Sequence, residues 1–583
     1  MKILGIFHFP GYADPSAAVV IDGSVVAFVE EERLVRNKHA SAYFPSRAVA
    51  YTLKQAGLTL DDIDCISFGW DCYLHQNGGL SRHFEDINRK YPPTSFDLAY
   101  QERRLTGYTP DKVCSLIKRE LRHLYSKAKL PEIIFVRHHL AHAVSAYFHS
   151  NLGDALVLAI DGSGEIETTT WWEARNRKLK LLRAVKTPHS LGWFYSAFTE
   201  YLVFEAYDGE YKVMGLAAYG KHDPELARKL KQLIWYDGYG GIESNPHLLA
   251  MGPRTYSPYV PDRLVDFLGR PPRSKDEEID SWFINLAFEV QQRLEEIVFD
   301  MTKYWVKKTG LRNLAIGGGV GLNVKMNGNL FASGDIDDIF IHPLCSDTGM
   351  AIASAMTVEY QNGTLKPQPL EHLYFGPSYS DKEIEASLQS CMLSYTREER
   401  IELSVAKLLN AGLVVGWFQG GMEAGPRALG NRSILADPRR VASRDRVNGV
   451  VKFREFWRPF CPSMTESGAR KYMAKYTRAP FMIITFNATT DAKQEIEAVV
   501  HVDGTSRTQI VSESVNPLYY RLLKEFEAVS GVPVVLNTSF NVKGEPIVCT
   551  PHDAIRTYAA TGLEALAIGP YLLVKPGVEH KHQ

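Results

Sequence analysis

Residues 137 to 142 read RHHLAH, three imidazoles within five positions, followed by the largely apolar AVSAYF. On a helix, His138 and His142 stand four apart and share a face, while His139 points elsewhere. Paired imidazoles at that spacing are metal-ligand geometry of the HxxxH type. The glutamate that follows the first histidine in zinc proteases is missing, so no catalytic base accompanies them. Asp161 opens DGSG at the end of the apolar run ALVLAI, and Asp347 lies in HPLCSDTGMAIASA at the expected start of a helix. Two imidazoles with two carboxylates suit Fe(II) or another divalent metal. The same spacing also fits a helix whose histidines are satisfied in the core, and these residues alone do not separate the two readings.

A second chemistry is written further along. Arg427, Arg432, Arg439, Arg440, Arg444, Arg446, Lys452, Arg454 and Arg458 crowd between residues 427 and 458. GPRALGNRS mixes arginine with Gly, Asn and Ser, and KFREFWRPF alternates basic and aromatic side chains. HVDGTSR adds Arg507, and NTSFN adds Ser539 at a strand end. A guanidinium fork binds phosphate bidentately, so a pocket for small phosphorylated substrates is the favoured reading. A solvated basic face paired with Asp437, Asp445 and Glu455 is the plainer one.

The elements that must carry these groups follow from pattern. KILGIF is a strand, and AAVVIDGSVVAFVEEE is two apolar β-rich runs about Asp22-Gly23, a hairpin signal. The plan returns in ALVLAIDGSG and in TTTWWEARNRKLKLLRAV, which turns at Asn176-Arg177. A strand, an Asp/Gly/Ser loop and a hairpin therefore occur twice, as in the duplicated plan of actin-like ATPases. RNLAIGGGVGLNVKMNG supplies a strand, then Gly317, Gly318 and Gly319, then a helix. Glycines after a strand permit close approach of a nucleotide, although a tight turn explains three glycines as well. It is neither a P-loop nor GxGxxG. The proline-bearing LKPQPLEHLYFGPSYS reads as a linker, dividing the chain into 1–365 and 372–583.

Bulk properties exclude several classes. The 583 residues exceed one ordinary core. Lys+Arg 66 against Asp+Glu 67 leaves a net charge of −1, so no global field holds nucleic acid or an anionic membrane. Seven scattered cysteines without a CxxC argue against a disulfide framework or zinc ribbon and fit a reducing cytoplasm. The N-terminus lacks the pattern of a secretory signal, and no apolar run is long enough to span a membrane.

The motifs EEERLVRNKH, HHLAHAVSAY, DGSGE, YKVMGLAAYG, GGGVGLN, GPRALGNRSILADPR, KFREFWRPF, HVDGTSR and LNTSFNVKGEPIVCTP occur in order along nearly the whole chain. Together they resemble the O-carbamoyltransferases of the NodU/CmcH class. The resemblance implies a first domain of actin-like ATPase (ASKHA) fold and a second of YrdC-like α/β fold. It implies that the second takes carbamoyl phosphate and ATP, with Mg2+, to make carbamoyl adenylate. The intermediate would pass, shielded from water, to the first domain, where an Fe(II) site aids transfer to the hydroxyl of a small-molecule natural product. By motif, the metal ligands would be His138, His142, Asp161 and Asp347. Lys452, Arg458, Arg507 and Ser539 would bind carbamoyl phosphate with Arg427 beside them, and the glycines 317–319 with Asn323 would face the nucleotide. His138, Lys452, Arg458 and Arg507 would be catalytic.

One departure concerns the acceptor. Where the family carries HDxSAA, this chain reads GYADPSAA, with Ala13 in the histidine's place and Asp14, His8 or Tyr12 as substitutes. The aromatic stretch 189–211, with Glu200, Glu205, Asp208 and Glu210, would either line a pocket for a hydroxylated acceptor or form a buried helix with an acidic edge. A tRNA threonylcarbamoyl-type enzyme is the alternative on the same folds; it needs a basic tRNA-binding surface that the balanced charge does not supply.

Overall fold

The computed structural model describes the chain except for residues 9–13, 251, 253–258, 453, 456 and 579–583. Ala13 and Tyr12 thus lie outside the described residues. The chain forms two compact units, Met1–Glu31 with Ala40–Pro369, and Glu32–His39 with Leu370–Gln583.

In the first unit, β1 (Lys2–Phe7), β2 (Ser16–Ile21), β3 (Ser24–Glu30), β4 (Cys65–Phe68) and β5 (Glu132–Phe135) form one sheet, ordered β3-β2-β1-β4-β5. The first three strands are an antiparallel meander, and β4 and β5 add in parallel. The plan is then repeated. β6 (Ala155–Ile160), β7 (Glu167–Arg175) and β8 (Lys178–Lys186) form the second meander. A small antiparallel pair, β9 (Ile234–Tyr236) and β10 (Ile242–Ser244), stands apart. β11 (Asn313–Gly317) and β12 (Asp338–Ile341) complete the order β12-β11-β6-β7-β8 with parallel pairing. The duplicated actin-like architecture expected from the repeated strand, Asp/Gly/Ser loop and hairpin is present, with turns at Asp22-Gly23 and Asn176-Arg177 as anticipated.

Two helices form the heart of this unit. His138–Phe148 packs on β6 and β11, Met350–Gln361 packs on β1, β2 and β4, and the two helices pack on each other. Both are nearly all buried, which explains why their sequences are apolar around the whole circumference rather than striped. The second helix lies so close to β1 that a Cβ on Gly5 would fall 1.8 Å from the Ala351 carbonyl oxygen. The N-terminal ends of both helices and the C-terminal end of β6 carry the four candidate ligands.

The second unit is built on an eight-stranded mixed sheet. Its strands are β13 (Thr396–Arg397), β14 (Val415–Phe418), β15 (Arg432–Ala436), β16 (Cys461–Met464), β19 (Gln509–Ile510), β20 (Val534–Ser539), β21 (Ala565–Ile568) and β22 (Tyr571–Val574). The order is β13-β22-β21-β14-β15-β20-β16-β19, and β17 (Phe486–Asn487) pairs separately with β18 (Thr505–Ser506). Register sets Ser539 opposite Ser433 and Asn537 opposite Cys461. The residues 32–39, which directly follow β3 in sequence, belong to this unit, where they hydrogen-bond to loops hundreds of residues away. Among the described residues no helix is long and apolar enough to cross a membrane.

Candidate active site

His138 and His142 lie on one face of the helix His138–Phe148, with their Nε2 atoms 3.2 Å apart. Asp161 Oδ2 is 3.1 Å from His142 Nε2 and 3.7 Å from His138 Nε2. Asp347 Oδ1 is 3.3 Å from His138 Nε2 and 3.7 Å from His142 Nε2. One donor atom from each of the four thus falls within 4.8 Å of all the others. The His138 tautomer follows from its back side: Nδ1 lies 3.1 Å from the Gly69 carbonyl oxygen and must donate to it. In the neutral ring that turns Nε2 toward the cluster as a lone-pair donor, the arrangement of a metal-bound imidazole. Asp161 Oδ2 is buried without a hydrogen-bond donor of its own. Converging lone pairs and carboxylate charge repel one another unless a cation sits among them, so the residues fit a divalent metal.

The carboxylates favour positive charge at this point, whether a metal ion or a proton at Nε2: burial opposes charge on His138, yet Asp347 and Asp161 outweigh it and hold its pKa well above the ordinary imidazole value. Burial likewise opposes charge on Asp161, but the two imidazoles hold its carboxyl far below the usual range. The imidazoles are sealed, with side-chain exposures of 0% and 2%, whereas Asp347 is 37% exposed, so the cluster opens on the Asp347 side. His139 does not share that opening. It is fully buried, packed where a Cβ on Gly164 would come within 2.7 Å of its Nδ1. Burial, with His138 and His142 beside it, depresses its pKa to about 3, so it stays neutral.

Residues that sequence patterns did not single out hold this cluster in place. Glu165, 4% exposed, accepts the His138 backbone N–H at 2.9 Å and the Asp71 N–H at 2.6 Å. It thereby caps the N-terminus of the histidine helix. Arg104 lies 4.3 Å over the Trp70 ring and donates to the carbonyls of Gly164 and Glu165. Trp70 in turn meets the His138 ring edge-on at 5.2 Å. The glycine run supplies close packing: a Cβ on Gly318 would come 2.2 Å from the Ile160 carbonyl oxygen, and one on Gly317 2.7 Å from that of His142. Gly319 lies against Asp161, where a Cβ would be 3.1 Å from Oδ1. Asn323 caps the following helix through Met326 N–H and pairs with Gln291. We expect Glu165→Gln to lower metal affinity by about tenfold or more, as outer-shell changes do, and to cost about 1 kcal/mol of stability. Metal titration with thermal unfolding checks this; a variant unchanged in both would show that the cap does not hold His138.

The stretch 189–211 resolves into a buried helix, Leu191–Tyr201, and a tight acidic turn. Tyr207 has φ +71°, and the carboxylate of Glu210 holds that turn by accepting the Tyr207 N–H and the Ser196 hydroxyl, each at 2.9 Å. Of the substitutes for the missing histidine, His8 is buried and depressed to about 4 by desolvation, so it is neutral. Asp14 is half-buried at φ +64°.

In the second unit the basic cluster divides in two. Arg432 is fully buried, stacked 3.7 Å over Phe418 and spent on carbonyls of Gln419, Asn431 and Pro377. Arg439 pairs with Asp437 and Asn410, and Arg446 with Glu564 and the Gly412 carbonyl. These three brace the fold, which corrects the reading of the whole run as one phosphate pocket. Lys452 forms the other part. Its Nζ donates to the Ser539 carbonyl, to Asn541 O at 2.9 Å and to Asn541 Oδ1 at 2.7 Å, with Ser539 Oγ at 3.2 Å. Burial, then Arg454 and Arg458, push its pKa well below the ordinary lysine value. Arg458 ion-pairs with Glu455 at 3.5 Å, and Arg507 Nε donates to Cys461 Sγ at 2.9 Å on the strand next to β20. Arg427 lies half-buried in the loop after Glu423, a fully buried carboxylate that accepts the N–H groups of Leu429, Asn431 and Arg432.

Comparison with known proteins decides what these two constellations belong to. The profile described as Carbamoyltransferase N-terminus matches residues 2–356, and that described as Carbamoyltransferase C-terminus matches residues 406–575. The chain belongs to the carbamoyltransferase family. Nodulation protein NolNO of Sinorhizobium fredii is 35% identical over 96% of this carbamoyltransferase and 79% of its own length. Nodulation protein NolO of Bradyrhizobium diazoefficiens is 38% identical over 76% of this chain and 79% of its own. An uncharacterized Synechocystis protein is 34% identical over all of this chain and 98% of its own. Among solved structures, the component A of (R)-2-hydroxyglutaryl-CoA dehydratase from Acidaminococcus fermentans aligns at TM-score 0.32 and 12% identity over 62% of this chain and 99% of that one, a likeness too remote to bear on the site. As a carbamoyltransferase, the protein is an enzyme that moves a carbamoyl group, and both constellations lie within the matched regions.

Proposed function

We propose that the protein is an ATP-dependent O-carbamoyltransferase. It would activate carbamoyl phosphate as carbamoyl adenylate in the second unit and pass the carbamoyl group to a hydroxyl of a small-molecule natural product at the His/Asp cluster. The observation that carries the reading is the inward-facing Nε2 of His138, whose Nδ1 is held by the Gly69 carbonyl, converging with His142, Asp161 and Asp347. A cluster so built has a use for a divalent metal, Fe(II) or similar, and none as a satisfied core.

The chain's own groups have distinct tasks. Lys452 and Ser539, with Arg458, Arg507 and Arg427, would hold the phosphates of carbamoyl phosphate and of ATP, which arrives with Mg2+. Fixed cations in a low-dielectric site favour the crowded anionic arrangement. Water cleaves the P–O bond of carbamoyl phosphate to give carbamate and inorganic phosphate, and a carbamate oxygen then attacks the α-phosphorus of ATP while pyrophosphate leaves. The acceptor hydroxyl then attacks the carbonyl carbon, and AMP departs with the electron pair of the broken C–O bond. His138, His142, Asp161 and Asp347 would hold the metal, which when bound polarises the carbonyl oxygen that gains charge in this step. The glycines 317–319 are used for close packing on His142, Ile160 and Asp161, so a nucleotide at this loop would sit beside the Asp161 carboxylate.

The test mixes protein with ATP, Mg2+ and carbamoyl phosphate, without acceptor, and looks for AMP and pyrophosphate. Both are expected only when carbamoyl phosphate is present. Their absence with added Fe(II), and in the presence of a panel of alcohols, would overturn the reading.

A further inference from the structure

The nest around Lys452 depends on Asn541, and Asn541 depends on residues that stand near the other end of the sequence. Asn541 Oδ1 accepts from Lys452 Nζ at 2.7 Å and from Ser539 Oγ at 2.7 Å. Its amide faces that way because Nδ2 donates to the Glu545 carbonyl at 2.7 Å. The turn that presents this carbonyl is gripped by Arg36. One guanidinium nitrogen of Arg36 donates to Ile547 O at 2.6 Å and the other to Pro546 O at 2.9 Å, while Nε lies 3.3 Å from Asp553 Oδ1. Asp553 is itself the N3 partner of Thr550 in the capping box that starts the helix Pro551–Ala560. A few residues earlier Arg33, 3% exposed, donates to Gly425 O at 2.7 Å, in the loop that carries Arg427. Arg33 is steadied by Glu32 at 3.2 Å, whose other oxygen accepts the His39 N–H at 2.7 Å.

We propose that residues 32–39 are a working part of the anion site in the second unit, with Arg36 as its principal positioning residue. This rests on the reading that the Lys452 nest takes the phosphate of carbamoyl phosphate. A guanidinium presents a rigid planar fork, and here it spans two successive carbonyls that a lysine ammonium cannot match in one geometry. When the fork is lost, the 545–547 turn is free to shift and the Glu545 carbonyl no longer fixes the Asn541 amide. A flipped amide would point its donor at Lys452, so the effect appears in phosphate binding rather than in the folded fraction alone. Arg33 does the same for the Arg427 loop.

The test compares the full-length protein with Arg36→Lys and Arg36→Ala. Binding of inorganic phosphate and of carbamoyl phosphate is read by calorimetry, KM and kcat from acceptor-free AMP formation, and stability from thermal unfolding. The expected result is a rise of about tenfold or more in both Kd and KM for carbamoyl phosphate in Arg36→Ala, with kcat changed much less, and only partial recovery in Arg36→Lys. A purely structural role would lower the melting temperature and leave Kd and KM of the folded protein alone, which would overturn the proposal. If Arg36→Ala does not fold, Arg36→Lys decides by the same comparison. If the wild type binds neither ligand, the reading of the nest fails and the proposal fails with it; if the wild type binds both and the variants bind as well, only the proposal fails.

Discussion

Replacing Asp161 by asparagine is expected to reduce carbamoyl transfer by on the order of 10²–10³-fold, the loss seen when one preorganised electrostatic partner is removed, while acceptor-free AMP formation continues. Asparagine has the same shape, and its amide oxygen can still accept the Gly162 N–H that Asp161 Oδ1 accepts at 2.7 Å. The change falls on Oδ2, the atom facing His142 at 3.1 Å and His138 at 3.7 Å. An NH2 there turns a ligand into a donor aimed at two imidazole nitrogens, and the anionic charge that would attract the metal is gone. Metal analysis of the purified variant, beside separate assays of activation and transfer, checks the expectation. An asparagine variant that transfers at the wild-type rate would remove the cluster from the mechanism. One that loses activation as well would mean the two steps are not divided as proposed.

Lys452→Met should do the reverse and stop the chemistry at its first step, lowering AMP formation by on the order of 10²-fold or more. Methionine keeps the bulk of the stem but removes the ammonium from the Ser539 carbonyl, Asn541 O and Asn541 Oδ1; the Asn541 N–H and the Ser539 hydroxyl still reach the first and the last, so Asn541 O loses its donor. About 1–3 kcal/mol of stability should go with it, the cost of an acceptor left unpaired. The wild type carries a related pH signature. Burial, then Arg454 and Arg458, hold the Lys452 pKa well below the ordinary value. For a base with a depressed folded pKa, the penalty on the fold is complete below that pKa. It fades as pH rises from the depressed value toward the unfolded value near 10.4. Phosphate affinity should move the other way, weakening as pH rises through the depressed pKa, with proton uptake on binding. Calorimetry in buffers of different ionisation enthalpy measures that uptake; binding without proton uptake and independent of pH would mean Lys452 does not meet the phosphate as an ammonium.

How much of this could be read from the sequence depended on how local the cause was. The hairpin turns at Asp22-Gly23 and Asn176-Arg177 announced β2–β3 and β7–β8 because turn chemistry and alternation lie within a few residues. The shared face of His138 and His142 follows from helical period alone, and Asp161 from its place at the end of an apolar run. The supports were hidden for a physical reason. Gly69 acts through a backbone carbonyl, which carries no mark in a one-letter code, and Glu165 acts on an N–H 27 residues away. The arginines of 427–458 look alike in sequence. What separates Arg432 and Arg446 from the nest is a set of partners set by sheet register, such as Glu564, 118 residues from Arg446. Arg33 and Arg36 sat within a quoted motif, yet their partners lie 392 and 511 residues away.

Those last separations bear on how the protein is made. Residues 32–39 leave the ribosome before almost everything they will bind. At about 5–20 residues per second of synthesis, Arg36 emerges roughly 25–100 s before Ile547. In that interval the first unit has nearly all of its chain and can fold as a unit, but the segment after β3 must stay unclaimed. The second unit closes last, around a piece of chain that came out first, and contacts of such long sequence separation are slow to form. A nascent or truncated chain therefore lacks the Arg36 grip on the 545–547 turn, and on the proposed reading carbamoyl phosphate would not be activated before translation has passed the final strands. Expressing residues 370–583 by themselves would give a sheet without its two clamping arginines, so the protein's halves are not interchangeable modules despite their separate cores.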